Sequence, residues 1–224
     1  MSEILDKLGI YDLVAVLLSG VSVLTLSLLI LQVVYNVSVN LNLMVNEMLS
    51  FLVISYFVGV VLQETGSLIV RKILGKNGRL FENVIADSYT SITEWEKKEI
   101  FSYVKSQLNL KDDNSDVIYN YCKYYVFKNS DTTRIDRDQS LSAMSRSLSL
   151  YFFAVSIVAA VSACVSFTLL RLLLCIVSVI LSALFYNRFI RFIRMRYSNI
   201  LRTFYYDKQG AIQVWHKAKS ENSD

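Results

Sequence analysis

Glu64 stands in Gln63-Glu64-Thr65, inside an otherwise apolar run from Met48 to Val70. In hydrocarbon an ionised carboxylate is costly unless it is paired, reaches water or takes a proton. Its chemistry there would be that of a charge pair or a proton site. The cations placed to meet it are Arg146, just ahead of the third apolar run, and Arg188, at the close of the fourth. The expectation is an intramembrane charge cluster of Glu64, Arg146 and Arg188, with Gln63 and Thr65 beside it. The competing reading ends the helix early and leaves Glu64 in headgroup water.

Other reactive chemistry is sparse. The single histidine, His216, excludes a His-rich metal site and argues against a Ser–His–acid triad. Cys122, Cys164 and Cys175 lack metal-ligand spacing and read as small buried residues. Gly75-Lys76-Asn77-Gly78-Arg79 has the look of a phosphate loop but lacks the upstream glycine and the following Ser/Thr, so it reads as a turn. Asp112-Asp113-Asn114-Ser115-Asp116 is too short and wrongly spaced for a calcium loop. No catalytic residue, cofactor or metal ligand is assigned, and the expectation is a protein that is not an enzyme. The rival from another class is a membrane-embedded enzyme built on Glu64, Ser/Thr or Cys side chains.

These residues need elements to hold them. The chain has 224 residues, 54% of them hydrophobic, with a mean hydropathy of +0.40. The apolar residues come in long runs, and charge crowds into residues 71–147 and 187–224. A bilayer core solvates neither charges nor unpaired backbone groups, which is what such segregation answers. A spanning helix needs roughly 20 apolar residues. Spans are expected at about 13–34 and 48–70. Residues 148–189 are too long for one crossing, since a single helix would run about 60 Å against a hydrocarbon core of ~30 Å. They divide into spans at about 148–169 and 172–189, although Ser166–Arg171 lacks the Gly, Asn or Pro of a tight turn. The start, Met1-Ser2-Glu3-Ile4-Leu5-Asp6-Lys7, has no basic n-region, so the first span is expected to stay as an anchor.

Lys and Arg set the topology. Residues 71–147 hold 13 of them and the tail from Arg188 holds eight, whereas Tyr35–Glu47 holds none and the last hairpin only Arg171. Cytoplasmic segments carry the positive excess, so the middle section, the tail and both termini are expected inside. The fold class is all-α: a four-transmembrane-helix bundle with a small helical cytoplasmic insert and a C-terminal amphipathic helix. The divisions are 1–74 and 148–189 for two hairpins, 75–147 for the insert and 190–224 for the tail. Asn36-Val37-Ser38 is a sequon on the outer side.

Within the insert, Thr93-Glu94-Trp95-Glu96 fits a capping box. The helix it starts would bury Trp95, Ile100, Phe101, Val104 and Leu108, and a second would use Val117, Ile118, Tyr121, Tyr124, Tyr125 and Phe127. A third is expected from about Asp136-Arg137-Asp138 into the third span. In the tail, Phe189, Ile193, Tyr197, Ile200 and Phe204 recur every three to four residues among Arg188, Arg191, Arg194, Arg196 and Arg202. That pattern predicts a basic helix bound to the anionic inner leaflet, each basic residue contributing about 1 kcal/mol. Nucleic acid is the weaker alternative.

Straight spans without proline argue against a conventional transporter. Ala15, Ser19, Gly20 and Ser27 in the first span, and Ala154, Ser156, Ala159, Ala160, Ser162, Ala163 and Cys164 in the third, permit close backbone approach. They serve packing inside one bundle or, through Ser156, Ala159, Ala160, Ala163 and Cys164, a face between subunits.

Paired spans, a small helical insert and a basic juxtamembrane helix around Asn187-Arg188 give a layout that resembles small four-span inner-membrane subunits of bacterial anti-phage systems. The membrane component of Kiwa and membrane effectors of cyclic-oligonucleotide defence are of this kind. The similarity is one of architecture over the whole chain, with no residue motif. It implies an oligomeric sensor, anchor or pore-forming effector in a bacterial inner membrane, with membrane lipid, further copies of itself and a cytosolic protein as partners. A plain tether for a soluble protein is the other reading.

Overall fold

The computed structural model describes residues 10–37, 48–73, 92–109 and 115–221. Among them lie six α-helices and no strand: α1 Ile10–Tyr35, α2 Met48–Ile73, α3 Glu94–Leu108, α4 Ser115–Asn129, α5 Thr133–Val165 and α6 Leu169–Glu221. The turn expected at Gly75–Arg79 and the acidic run at Asp112–Asn114 lie outside the described residues. Four of the helices, α1, α2, α5 and α6, carry stretches long and apolar enough to cross a membrane. The chain divides into two compact units, Met1–Val70 with Gln139–Phe192 and Arg71–Asp138 with Ile193–Asp224, so α5 and α6 supply residues to both.

In the first unit α1 and α2 touch backbone to backbone. A Cβ on Gly20 would lie 1.7 Å from the Ser55 carbonyl oxygen, and one on Gly59 would lie 2.1 Å from that of Val16. Ser55-x-x-x-Gly59 thus forms a small-residue groove that admits the α1 backbone. Ser19 and Ser55 are fully buried at this crossing, and the Ser19 hydroxyl donates back to the Val16 carbonyl at 2.8 Å.

α5 and α6 are joined differently. The Ser149 hydroxyl donates to the Ser182 carbonyl and the Ser182 hydroxyl to the Ser149 carbonyl, both at 3.0 Å. Seven residues along each helix, the Cys175 thiol donates to the Ser156 carbonyl at 3.6 Å. Beside the serine rung the rings of Phe152 and Phe185 stack, with centroids 5.7 Å apart. Val23, Leu148, Tyr151 and Phe152 form the apolar centre of the unit.

The tip of this hairpin falls at Ser166–Thr168, between the end of α5 and the start of α6. Arg171 explains how it turns without glycine or proline. Its guanidinium donates to the carbonyls of Ser162 (3.4 Å) and Ser166 (2.9 Å) and meets the Ser166 hydroxyl. The Ser162 carbonyl already accepts from the Ser166 N–H at 3.0 Å, so the arginine adds a second donor there and supplies one to the Ser166 carbonyl just beyond the helix end. At the end of α1, Asn36 adopts a left-handed conformation (φ 54°) and the Val37 N–H returns to the Leu31 carbonyl at 3.0 Å. Asparagine tolerates this left-handed position just past a helix end, a structural use for the asparagine of the sequon.

The second unit has a conventional core. Thr93 and Glu96 close the expected capping box: the Glu96 N–H donates to Thr93 Oγ1 at 3.2 Å and the Thr93 N–H to Glu96 Oε2 at 2.7 Å. α3 ends on left-handed Asn109. Ile100, Val104, Ile118, Cys122, Val126, Ile135, Ile200 and Phe204 make the buried centre, with the rings of Tyr121 and Tyr125 edge-on to Phe204. Two expected faces are corrected. On α3, Trp95 is exposed and Leu108 lies at the surface, while Lys97 and Tyr103 are buried. On α4, Val117, Tyr124 and Phe127 are exposed, and Tyr119 and Cys122 take their place. Each helix aims a stripe of positions three or four apart inward, narrower than the spread of its aromatic residues.

α5 starts at Thr133, ahead of the expected Asp136. Asp131 accepts from the Thr133 N–H at 2.9 Å, and the Thr132 hydroxyl donates to Asp136 at 2.8 Å. Asp131 thereby satisfies an N–H that a helix start leaves open, and the Thr132–Asp136 bond ties the first turn side chain to side chain.

Candidate functional site

The expected charge cluster forms only in part. Arg146 reaches α2, where its Nη2 donates to the Gln63 carbonyl at 3.1 Å. Gly66 makes room for it, since a Cβ there would come within 3.2–3.4 Å of the arginine side chain. Glu64 is exposed. It lies close enough to Arg146 to interact electrostatically, but among the described residues no arginine stands within ion-pair distance of it. The direct Glu64–arginine contact is therefore corrected. Arg146 packs over Gly66 and bonds a main-chain carbonyl, and Glu64, two residues before Gly66 in the helix, projects from a nearly opposite face. Arg188 does not join them. It is exposed, with its guanidinium 5.5 Å from the Phe192 ring.

On the same unit Asp12, in the first turn of α1, accepts a hydrogen bond from the Ser140 hydroxyl of α5. Ser140, Ser142, Ser145 and Ser147 of α5 are all buried. At the hairpin tip the Tyr35 hydroxyl shares a 2.9 Å hydrogen bond with Ser162, and the Arg171 guanidinium lies 5.3 Å from the Tyr35 ring. Sequence reading marked Arg171 as the charge that interrupts the last hairpin. It did not mark its capping role, because carbonyl acceptors leave no trace in residue types.

The small-residue face divides. Ser156 and Ala159 are buried, Ala163 is half-buried, and Ala160 and Cys164 are exposed. Positions 149 and 156, seven apart, set the seam to α6, and that repeat leaves 160 and 164 off it. Of the cysteines only Cys122 is fully buried, Cys175 being half-buried. Burial pushes the Cys122 thiol well above its usual range, which holds it as an unreactive thiol.

The basic tail is also more than a lipid-facing stripe. Arg188, Arg191 and Arg202 are exposed, whereas Arg194 and Arg196 are half-buried. Ile200 and Phe204, expected to lie in the leaflet, are fully buried in the core of the second unit. Their spacing is right for an amphipathic helix, but protein covers that face. Among the described residues no group of three or more His, Cys, Asp or Glu is placed to hold a metal ion. No protein-family model, curated protein or solved structure matches the chain.

Proposed function

We propose that this chain is an oligomeric, non-enzymatic protein of the bacterial inner membrane, with four spans, both termini in the cytoplasm and the second unit on the cytoplasmic side. It senses or perturbs the bilayer and couples that state to a cytosolic partner. The observation that carries this reading is the sharing of α5 and α6. Each helix supplies residues to both units with no break between. A change in how the apolar helices pack can then reach the second unit through two helices, which a plain tether does not require. Orientation rests on the distribution of Lys and Arg, 13 and eight on one side against none and one on the other. Self-association is supported by Ala160 and Cys164, small residues left exposed on an apolar helix. Antiviral defence is the proposed setting, on the resemblance of layout alone.

Native mass spectrometry of the full chain released from lipid nanodiscs tests the oligomer. The expected mass is an integral multiple of 25.6 kDa above one. A strict monomer across lipid compositions would overturn it.

A further inference from the structure

α4 and α6 meet in the second unit through Tyr119 and Tyr197, whose rings stand edge to face with centroids 4.6 Å apart. Beside this contact each helix carries a cation: Lys123, one turn on from Tyr119, and Arg196, next to Tyr197. Both are half-buried, and each is near enough to feel the other's charge. Among the described residues neither makes an ion pair. The acidic group felt at this contact is Asp116, through Tyr197. Arg196 Nε is shut off from water and has no acceptor among the described residues. The Lys123 ammonium lies 5.9 Å from the Phe127 ring, a contact that leaves its charge unneutralised, so the described residues leave a buried guanidinium N–H without an acceptor beside a second cation without a counter-charge.

We propose that Lys123 and Arg196 form a binding site for a phosphate group, with the Tyr119–Tyr197 ring pair as its wall. The phosphate is carried by a phospholipid headgroup or by a soluble phosphate compound. The guanidinium offers a planar fork of donors matched to phosphate oxygens, and the ammonium adds a compact charge. Burial, and then the charge of Arg196, holds the Lys123 ammonium below its usual range, a penalty that a bound anion relieves. Burial also keeps the Tyr119 phenol protonated, so no phenolate there opposes an anion. The site stands whether or not the chain self-associates.

The test uses full-length protein, stripped of lipid in a neutral detergent and followed by its thermal midpoint. Inorganic phosphate is titrated in one arm and phosphatidylglycerol in the other. Wild type should be stabilised by at least one probe. Lys123→Gln and Arg196→Gln should each weaken that response at least tenfold in apparent affinity, while Arg202→Gln, an exposed arginine of the same helix, leaves it unchanged. Without either probe, Lys123→Gln should melt no lower than wild type, because it removes a repulsion. That comparison holds even if Arg196→Gln does not fold. A response to inorganic phosphate identifies a soluble source, and a response to phosphatidylglycerol alone identifies a headgroup. No response by wild type to either probe, or an equal response by Lys123→Gln, overturns the site.

Discussion

The two units of this chain hold their helices together by opposite means. In the second, Ile100, Val104, Ile118, Val126 and Phe204 are stripped of water and fill a common centre. In the first, the contacts that fix the helices are small: a glycine against a carbonyl at Gly20 and Gly59, and paired serine hydroxyls at Ser149 and Ser182. Leucines, isoleucines and valines are present there in quantity, but many are exposed, among them Leu18, Val53, Val61, Val158, Leu173 and Ile180. The difference follows from the solvent. Water drives bulky side chains inward, whereas lipid gives them no reason to leave the surface and rewards close backbone packing instead.

Substitutions can break this contrast in one unit at a time. Phe204→Ala should have the largest effect, about 3–5 kcal/mol, because it empties the centre of a water-driven core. Hydrogen–deuterium exchange should then speed up in α3 and α4 and stay unchanged in α1 and α2. Gly20→Ala should do the reverse. Its methyl group would stand 1.7 Å from the Ser55 carbonyl oxygen, so the helices must part at a cost of about 1–3 kcal/mol. Faster exchange should be confined to α1 and α2, with a lower melting temperature in detergent.

A finer test lies in the serine clasp. Replacing Ser149 and Ser182 together with alanine removes two hydrogen bonds, each worth about 0.6 kcal/mol in a membrane protein, so roughly 1 kcal/mol is expected in detergent unfolding. No loss would mean that close packing alone holds α5 to α6. The smallest effect concerns Asp131, which is fully exposed. Its hydrogen bonds from Thr133 hold its carboxyl below the usual carboxylate range. With the folded pKa depressed, the unfolded state binds more protons as pH falls. The contribution is full above the ordinary value of about 3.8 and fades as pH drops through the lower folded value. Asp131→Asn should flatten that slope slightly in acid titrations of melting temperature.

The parts legible in the sequence were those governed by the solvent or by local bonding. Run length and charge marked the four apolar helices, and Thr93 with Glu96 announced the start of α3. Partners distant in the chain were not legible. Gly20 and Ser55 both appear as small residues, but nothing in the sequence says that one meets the other. The serine clasp hides for the same reason, since each hydroxyl bonds a carbonyl that every residue owns. Tyrosine also misled: Tyr119 is buried while Tyr124 is exposed, and the residue type suits either place. Glu64 shows the limit of reasoning from cost alone. Its expense in lipid predicted a partner, and the helix instead leaves it at the surface with Arg146 seated on Gln63.

The central claim is that the apolar helices of the first unit cross the membrane four times with the second unit inside. Single cysteines at Phe167, exposed in the α5–α6 turn, and at Asn120, exposed on α4, report on it directly. They are introduced into a full chain whose Cys122, Cys164 and Cys175 are replaced by alanine, and are probed on intact spheroplasts with a membrane-impermeant maleimide. Phe167→Cys should label at once, and Asn120→Cys only after the membrane is permeabilised. Labelling of Asn120→Cys in intact spheroplasts, or of Phe167→Cys only after permeabilisation, would contradict the account.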